Sequence, residues 1–240
     1  MSDFALAIGG SSDTLKILPL MGYVRRGAVS GYVRTLSPLG ILRRPAPAPW
    51  KLLPRMVRSL FWSMTAPRSK AAGWRARRIE SGEIDQACAE LPAHKPGMVV
   101  FERSPALLRH ALACPIVPVE LYGLDKGGRI GGYFLLSYAP GQARIADMWI
   151  DSGEPADWRA AVHAAVDRAR TKAGLAEVIA WSSDPGLSRV LGDCGFHERL
   201  SLPILVQPSA GAAIPHDIMR LQMLDNDAFY LYTGGNELWA

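Results

Sequence analysis

Between Ala143 and Arg199 the chain alternates apolar runs with punctuation residues in an order that leaves few folds open. ARIADMWID (Ala143 to Asp151) has the apolar content of a buried strand. SGEPAD (Ser152 to Asp157) is a loop, with Pro155 placed for the first turn of a helix. Trp158, Ala161, Val162, Ala165, Val166 and Ala169 then recur on one helical face. Gly174 sits where a helix cap belongs, and EVIAWS (Glu177 to Ser182) is a second buried strand. Asp184-Pro185 caps a short helix whose apolar positions are Leu187, Val190, Leu191 and Cys194, closed by Gly195-Phe196. Two strands flanking a helix of this length predict a right-handed βαβ unit with parallel neighbouring strands.

The 240 residues suffice for one large domain or two small ones, and 49% of them are apolar. No apolar run reaches the ~18 residues that span a bilayer. The first residues, MSDFALAIGGSSD, lack the basic stretch of a signal peptide. Cys88, Cys114 and Cys194 are odd in number and widely spaced, so neither a disulfide framework nor a zinc site is expected. The expected compartment is the cytoplasm. The net charge of +5 is unevenly spread: from Thr14 to Ile79 there are fourteen Lys and Arg and no Asp or Glu, and the chain from Glu80 onward is net acidic. Such a split predicts a cationic segment facing something anionic.

In chain order, Phe4 to Ile8 reads as a strand, Ser11 to Tyr23 as a short helix ending at Gly22, and Gly31 to Leu36 as a strand. This strand, Ser-Ser-Asp, Leu-rich turn and Gly-aromatic order recurs at Ser182 to Phe196, either as a true repeat or as two ordinary capped units. Pro38 to Pro49 is a Pro/Ala-rich linker with Arg43 and Arg44. In the helix predicted over Trp50 to Met64, Leu52, Leu53, Met56, Val57, Leu60, Phe61 and Met64 form one stripe opposite Lys51, Arg55 and Arg58. That stripe either packs on a neighbouring domain, with the arginines in water, or lies on an anionic membrane. From Trp74 the pattern predicts β-α-α-β-β-β-α-β-α-β-β. A helix runs from Ser81 through Leu91, and a hairpin joins Val117–Leu124 to Ile130–Ser137 through Asp125-Lys126-Gly127-Gly128. The last strands are predicted at Leu202 to Val206, Asp217 to Leu224 and Ala228 to Tyr232.

That order resembles the GNAT superfamily of N-acyltransferases. IGGYFLLS followed by ARIADMWID, and then VLGDCGFHER, carry the resemblance, which covers about Trp74 to Tyr232. It implies an α/β, GNAT-like mixed sheet preceded by a partial strand-helix-strand unit of a second lobe. The chain is most similar to divergent two-lobed members from bacterial polysaccharide clusters, with the first lobe truncated. The domain division is then 1–37 (remnant of a first lobe), 38–72 (basic linker and amphipathic helix) and 73–240 (acyltransferase domain).

The resemblance implies that acetyl-CoA lies in the V between Ala143–Ile150 and Glu177–Ser182. Met148, Trp149 and Ile150 would meet the pantetheine arm. Ser152, Gly153 and Ala156 of the following loop, together with Ser183, would complete the cofactor site. The family's loop is Arg/Gln-x-x-Gly-x-Gly/Ala. This chain has no leading cation, one glycine, Pro155 without an N–H, and three carboxylates at Asp151, Glu154 and Asp157. Amine acylation needs a base and an acid. Asp147 is the candidate base, or else a paired carboxylate. Leu191 stands where the family's acidic Tyr is frequent, so Tyr138 or Tyr133 would substitute. Glu102 precedes a helix where family members bind the acceptor. No metal site is expected, and His163 is expected at the surface.

Two function classes follow. One is an acyl-CoA-dependent N-acyltransferase acting on a primary amine, such as an amino sugar. The other is a non-catalytic GNAT-like binding or assembly module with a degenerate cofactor loop. The expected partners are a small amine acceptor, a second copy through an exposed strand edge, and an anionic membrane contacted through residues 25–78, rather than nucleic acid.

Overall fold

The computed structural model describes residues 4–40, 49–67, 73–85, 98–209 and 218–230. Its elements are β1 (Phe4–Ile8), α1 (Ser12–Ile17, continued by a 3-10 turn to Met21), β2 (Val24–Thr35), α2 (Pro49–Thr65), β3 (Arg75–Ile79), β4 (Met98–Val100), α3 (Pro105–Leu112), β5 (Val119–Lys126) and β6 (Arg129–Ala139). They continue with β7 (Gln142–Ile150), α4 (Pro155–Arg170), β8 (Glu177–Ser182), α5 (Pro185–Asp193), β9 (His197–Pro208) and β10 (Ile218–Arg220), then 3-10 turns at Met223–Asp225 and Asp227–Phe229.

The β7-α4-β8 unit forms as the periodicity predicts. β7 and β8 pair in parallel, and Ala161, Val162, Ala165, Val166 and Ala169 are buried against the sheet. Position 163 departs from expectation. His163 is buried because its ring meets the buried Arg34 side chain that reaches from β2, with Nδ1 3.4 Å from a guanidinium nitrogen. β5, β6 and β7 form the expected antiparallel meander. Among the described residues the main sheet has eight strands in the order β1-β9-β2-β8-β7-β6-β5-β3, with β10 and β4 a separate parallel pair. One core, including Val33, Leu108, Ile179 and Leu221, lies on one face. The other, including Phe134, Met148, Val166 and Leu191, lies under α4 and α5. This mixed α/β order is GNAT-like.

Strands from both ends of the chain enter the sheets. The strand that completes the sheet between β8 and β9 comes from the N-terminal part of the chain. β2 pairs antiparallel with both, and β1 pairs with the far side of β9. Residues 4–35 are thus hydrogen-bonded into the same sheet. The strand predicted at Asp217–Leu224 is reduced to β10, paired with β4. Residues 227–229 of the strand predicted at Ala228–Tyr232 form a 3-10 turn, and residues beyond 230 lie outside the described set. The helix predicted from Ser81 begins as a 3-10 turn (Ser81–Glu83), and its continuation past residue 85 also lies outside that set, as do 41–48 of the predicted linker.

The suspected repeat is real in its geometry. Adding 173 to a residue number in β1-α1-β2 gives its counterpart in β8-α5-β9. Val29 opposite Leu202 lies on the local two-fold, and each pair maps onto another pair: Ser30–Ser201 onto Ala28–Pro203, and Tyr32–Glu198 onto Arg25–Leu205. The two register breaks leave out Arg26 in β2 and Arg199 in β9, which are counterparts. Outer pairs obey the same rule, since Phe4–Pro208 maps onto Thr35–Glu177. Helix caps follow it too: Ser11 and Asp184 are the N-caps, and Gly22 and Gly195 take the left-handed turn that only glycine adopts without strain. The matching Ser-Ser-Asp tripeptides are offset by two residues from this alignment, so the caps and glycines carry the repeat.

Helix α2 lies inverted relative to the packing expected of an amphipathic helix. Ser59 is buried and Trp62 stacks on His197 at 3.9 Å, while Leu53, Val57, Leu60, Phe61 and Met64 face outward. Packing of that stripe on the domain is therefore overturned. The arginine side, with Arg58 4.9 Å from the Trp62 ring centre, lies toward the protein.

Candidate functional site

The parallel ladder between β7 and β8 runs from Gln142–Glu177 to Ile145–Ala180 and ends there. β8 continues to Ser182 and β7 to Ile150, so the two strands part in the stretch the cofactor reading requires.

The chain itself fills that V. Gln222 lies beside Met148; its Oε1 accepts from the Met148 N–H at 3.0 Å, and its Nε2 donates to the Met148 carbonyl at 2.9 Å. One side-chain amide thus takes both backbone groups that a strand-like ligand would use. On the other arm, the Leu221 N–H donates to Ser183 Oγ at 2.7 Å, the Ser183 N–H donates to the Leu221 carbonyl at 3.1 Å, and Ser183 Oγ donates to the Met219 carbonyl at 2.6 Å. Between them, Arg220 lies 4.3 Å and 4.5 Å from the ring centres of Trp149 and Trp158. Its Nη1 is 3.5 Å from Asp184, and burial holds the guanidinium below its ordinary pKa despite that carboxylate. Met219, Leu221, Met223, Leu224 and Phe229 are core residues, so the insert is anchored by apolar burial as well as by hydrogen bonds.

Asp147 projects from β7 into a closed ionic cluster. Arg103, in the loop before α3, donates from Nε to Asp147 Oδ2 at 2.8 Å and from Nη2 to Oδ1 at 3.2 Å. The Tyr133 hydroxyl donates to the same carboxylate. Arg103 also pairs with Asp225 at 2.8 Å, and Asp225 Oδ2 accepts from the Gln222 N–H at 2.7 Å. Burial acts to lower the Arg103 pKa, but the two carboxylates hold it above its ordinary value. Burial raises Asp225 in spite of Arg103, and burial beside Asp147 raises Tyr133 far above the ordinary phenol. A carboxylate with both oxygens engaged by a guanidinium and a phenol is a poor acceptor for a substrate proton. This is the paired-carboxylate alternative for Asp147.

The other two candidate catalytic groups lie apart from this cluster. Tyr138 is at the opposite end of β6, where its hydroxyl donates to Glu120 Oε2 at 2.8 Å. Burial, then that contact, raises its pKa. Lys172 and Tyr122 also hold Glu120, whose pKa they lower against the effect of burial. Glu102 is exposed, next to Arg103 in the loop before α3.

At the pyrophosphate position, Ser152 Oγ donates to Asp157 at 2.8 Å and accepts from the Glu154 N–H. Asp157 also receives Trp74 Nε1 at 2.8 Å and Lys126 at 3.0 Å, and these three partners lower its pKa against burial. Asp157 is therefore anionic at neutral pH, inside the first turn of α4, with Glu154 as the N-cap. Gly153 and Ala156 are exposed. A helix start already supplied with carboxylates repels a second anion. The residues present do not fit a CoA pyrophosphate, and Gln222 stands where its pantetheine arm would pair.

Sequence reasoning placed the V and raised the pairing of Asp147, but missed Arg103, Arg220, Gln222 and Asp225. Their roles depend on partners distant in sequence, as Arg103 with Asp147 and Gln222 with Met148, which no local spacing announces. Among the described residues no cluster of His, Cys, Asp and Glu is suited to hold a metal.

Solved structures share this fold. A conserved protein of unknown function from Enterococcus faecalis, described as a probable N-acyltransferase, matches with a TM-score of 0.55 at 12% identity; the match covers 86% of this chain and 45% of that one. A GCN5-related N-acetyltransferase from Kribbella flavida matches with a TM-score of 0.51 at 14% identity, covering 86% and 68%. A third, a GCN5-related N-acetyltransferase from Anabaena variabilis, gives 0.48 at 13%, covering 84% and 45%. The chain therefore spans less than half the length of two of these three proteins. No family model matches the sequence, and no curated protein matches it. The likeness establishes a GNAT-like fold.

Proposed function

We propose that this chain is a non-catalytic GNAT-fold module serving in binding or assembly, in which the groove used by acyl-CoA has become part of the protein core. The observation that carries this reading is the Gln222 amide bridging the Met148 N–H and carbonyl. The ion-paired Asp147 and the carboxylate-rich start of α4 support it. Clearing the groove would expose Leu221, Met223 and Leu224. At ~2 kcal/mol for each buried side chain that costs roughly 6 kcal/mol, about four orders of magnitude in apparent cofactor affinity.

A second reading is kept because β7 and β8 do part where the fold's enzymes need it. In that reading the chain is an N-acyltransferase for a small primary amine, active once residues 219–225 leave the V. Titration calorimetry with acetyl-CoA separates the two. The intact chain is expected to give no binding heat at millimolar ligand, and Gln222→Ala is expected to remain silent because the apolar anchors stay. Saturable heat from the intact chain, or steady turnover of acetyl-CoA in the presence of an amine, would replace the first reading by the second.

A further inference from the structure

Helix α2 turns its apolar side to solvent. Leu53, Val57, Leu60, Phe61 and Met64 are 50% to 77% exposed and recur at the three- and four-residue spacing of a single face. Trp50, at the start of the helix, is exposed as well. The opposite side is fixed to the domain by the buried Ser59 and by Trp62 stacked on His197. This face is therefore presented outward by a helix that is held in place. A continuous apolar surface of this kind on a folded domain marks an interaction site.

Charge identifies what it meets. The helix belongs to the stretch from Thr14 to Ile79 that holds fourteen Lys and Arg and no Asp or Glu. Arg43 and Arg44 precede it in sequence, Lys51, Arg55 and Arg58 lie within it, and Arg68 and Lys70 follow it. An apolar face containing Phe, in a chain segment of unbroken positive charge, complements a surface that is anionic at its border and hydrocarbon beneath. Nucleic acid would be met by cationic side chains alone, whereas the face this helix presents is apolar. A second copy of this basic segment would bring like charges together. No described helix is long and apolar enough to cross a membrane, and this one is too short to do so.

We propose that α2 is an interfacial helix that docks the domain on anionic lipid bilayers, with Leu53, Val57, Leu60, Phe61 and Met64 entering the acyl boundary. The proposal is independent of whether the GNAT groove binds a cofactor.

The test is co-sedimentation of the full chain with vesicles of phosphatidylcholine alone and with one quarter phosphatidylglycerol, across a salt series. The intact chain should pellet with the anionic vesicles, and less so as salt rises. Leu60→Glu combined with Phe61→Glu should weaken pelleting about tenfold or more. Both positions are exposed, so the circular dichroism spectrum should be unchanged; Met64→Glu alone should give a smaller loss in the same direction. Three results would overturn the proposal. One is an intact chain that stays in solution at high lipid. Another is equal pelleting of the double variant, which would leave charge alone at work. The third is a dimer in sedimentation equilibrium that the double variant abolishes without any vesicle binding, which would give the face to a second copy.

Discussion

The units β1-α1-β2 and β8-α5-β9 share a strand register, two bulge positions, two N-caps and two left-handed glycines, yet one is covered and the other is bare. In the second unit Val190, Leu191, Cys194 and Phe196 are buried, and α4 packs across α5, with Arg159 ion-paired to Asp193 at 3.2 Å. Their counterparts in the first unit are Ile17, Leu18, Met21 and Tyr23. Ile17 and Met21 are more than half exposed, and no described helix lies against α1. Backbone geometry is therefore the same with and without a covering layer. The shared register is set by the strand pairs and caps, and stability is added to one unit only.

The strongest way to break this comparison is to cut the same side chain from both units. Leu191→Ala removes a fully buried side chain from the core under α4 and α5, and is expected to cost about 3 kcal/mol in urea unfolding. Its counterpart Leu18→Ala touches a half-exposed position and should cost less than about 1 kcal/mol. Equal losses would mean that α1 is covered in solution.

A finer comparison uses the glycines. Gly22 has φ of 87° and Gly195 of 79°, so alanine at either incurs a left-handed penalty of about 1 kcal/mol. The surroundings differ. A Cβ on Gly22 would meet only the Gln207 amide at 3.7 Å, whereas on Gly195 it would press on Pro67 at 3.0 Å and on the Ala66 backbone at 3.3 Å. Gly195→Ala should therefore be the more destabilising of the pair in the same unfolding measurement. A reversed order would show that the chain after α2 yields freely.

Much of this was legible in the sequence, and the exceptions share one physical cause. The β7-α4-β8 unit could be read because its periodicity is local and its caps are adjacent. The element order from β5 to α5 followed from the same kind of signal, and its GNAT likeness from resemblance to a known family. Which strand fills the place between β8 and β9 could not be read, since 31–36 and 217–224 both have strand-like composition and only pairing across the whole chain chooses between them. For α2, periodicity revealed the stripe but not its direction. A burial pattern says that two sides differ, not which one meets the protein. At the candidate site Asp147 was found because a charge in a buried strand stands out. Gln222 was missed because one amide among apolar residues looks ordinary until its partner is known.

The smallest expected effect is a pH dependence confined to the covered unit. His197 is the counterpart of Val24, and only His197 is stacked, on Trp62. Burial, then Arg199 and Arg58, holds its pKa below the ordinary 6.5. His163 on α4 is lowered in the same sense by burial and Arg34, against Asp167. The unfolded chain then takes up a proton at higher pH than the folded one. Stability should be level above about pH 6.5 and decline as pH falls below it, until the folded imidazoles protonate in turn. The lowered carboxylates of Glu83, Glu120 and Asp157 act only in the more acidic range, below their ordinary values. Replacing His197 by the residue of the bare unit, His197→Val, should flatten part of the decline below about pH 6.5 and leave the share of His163. Urea midpoints for both proteins measure it. If the two curves run parallel, His197 is as easily protonated folded as unfolded, and the Trp62 face then offsets the effect of burial and of the two arginines.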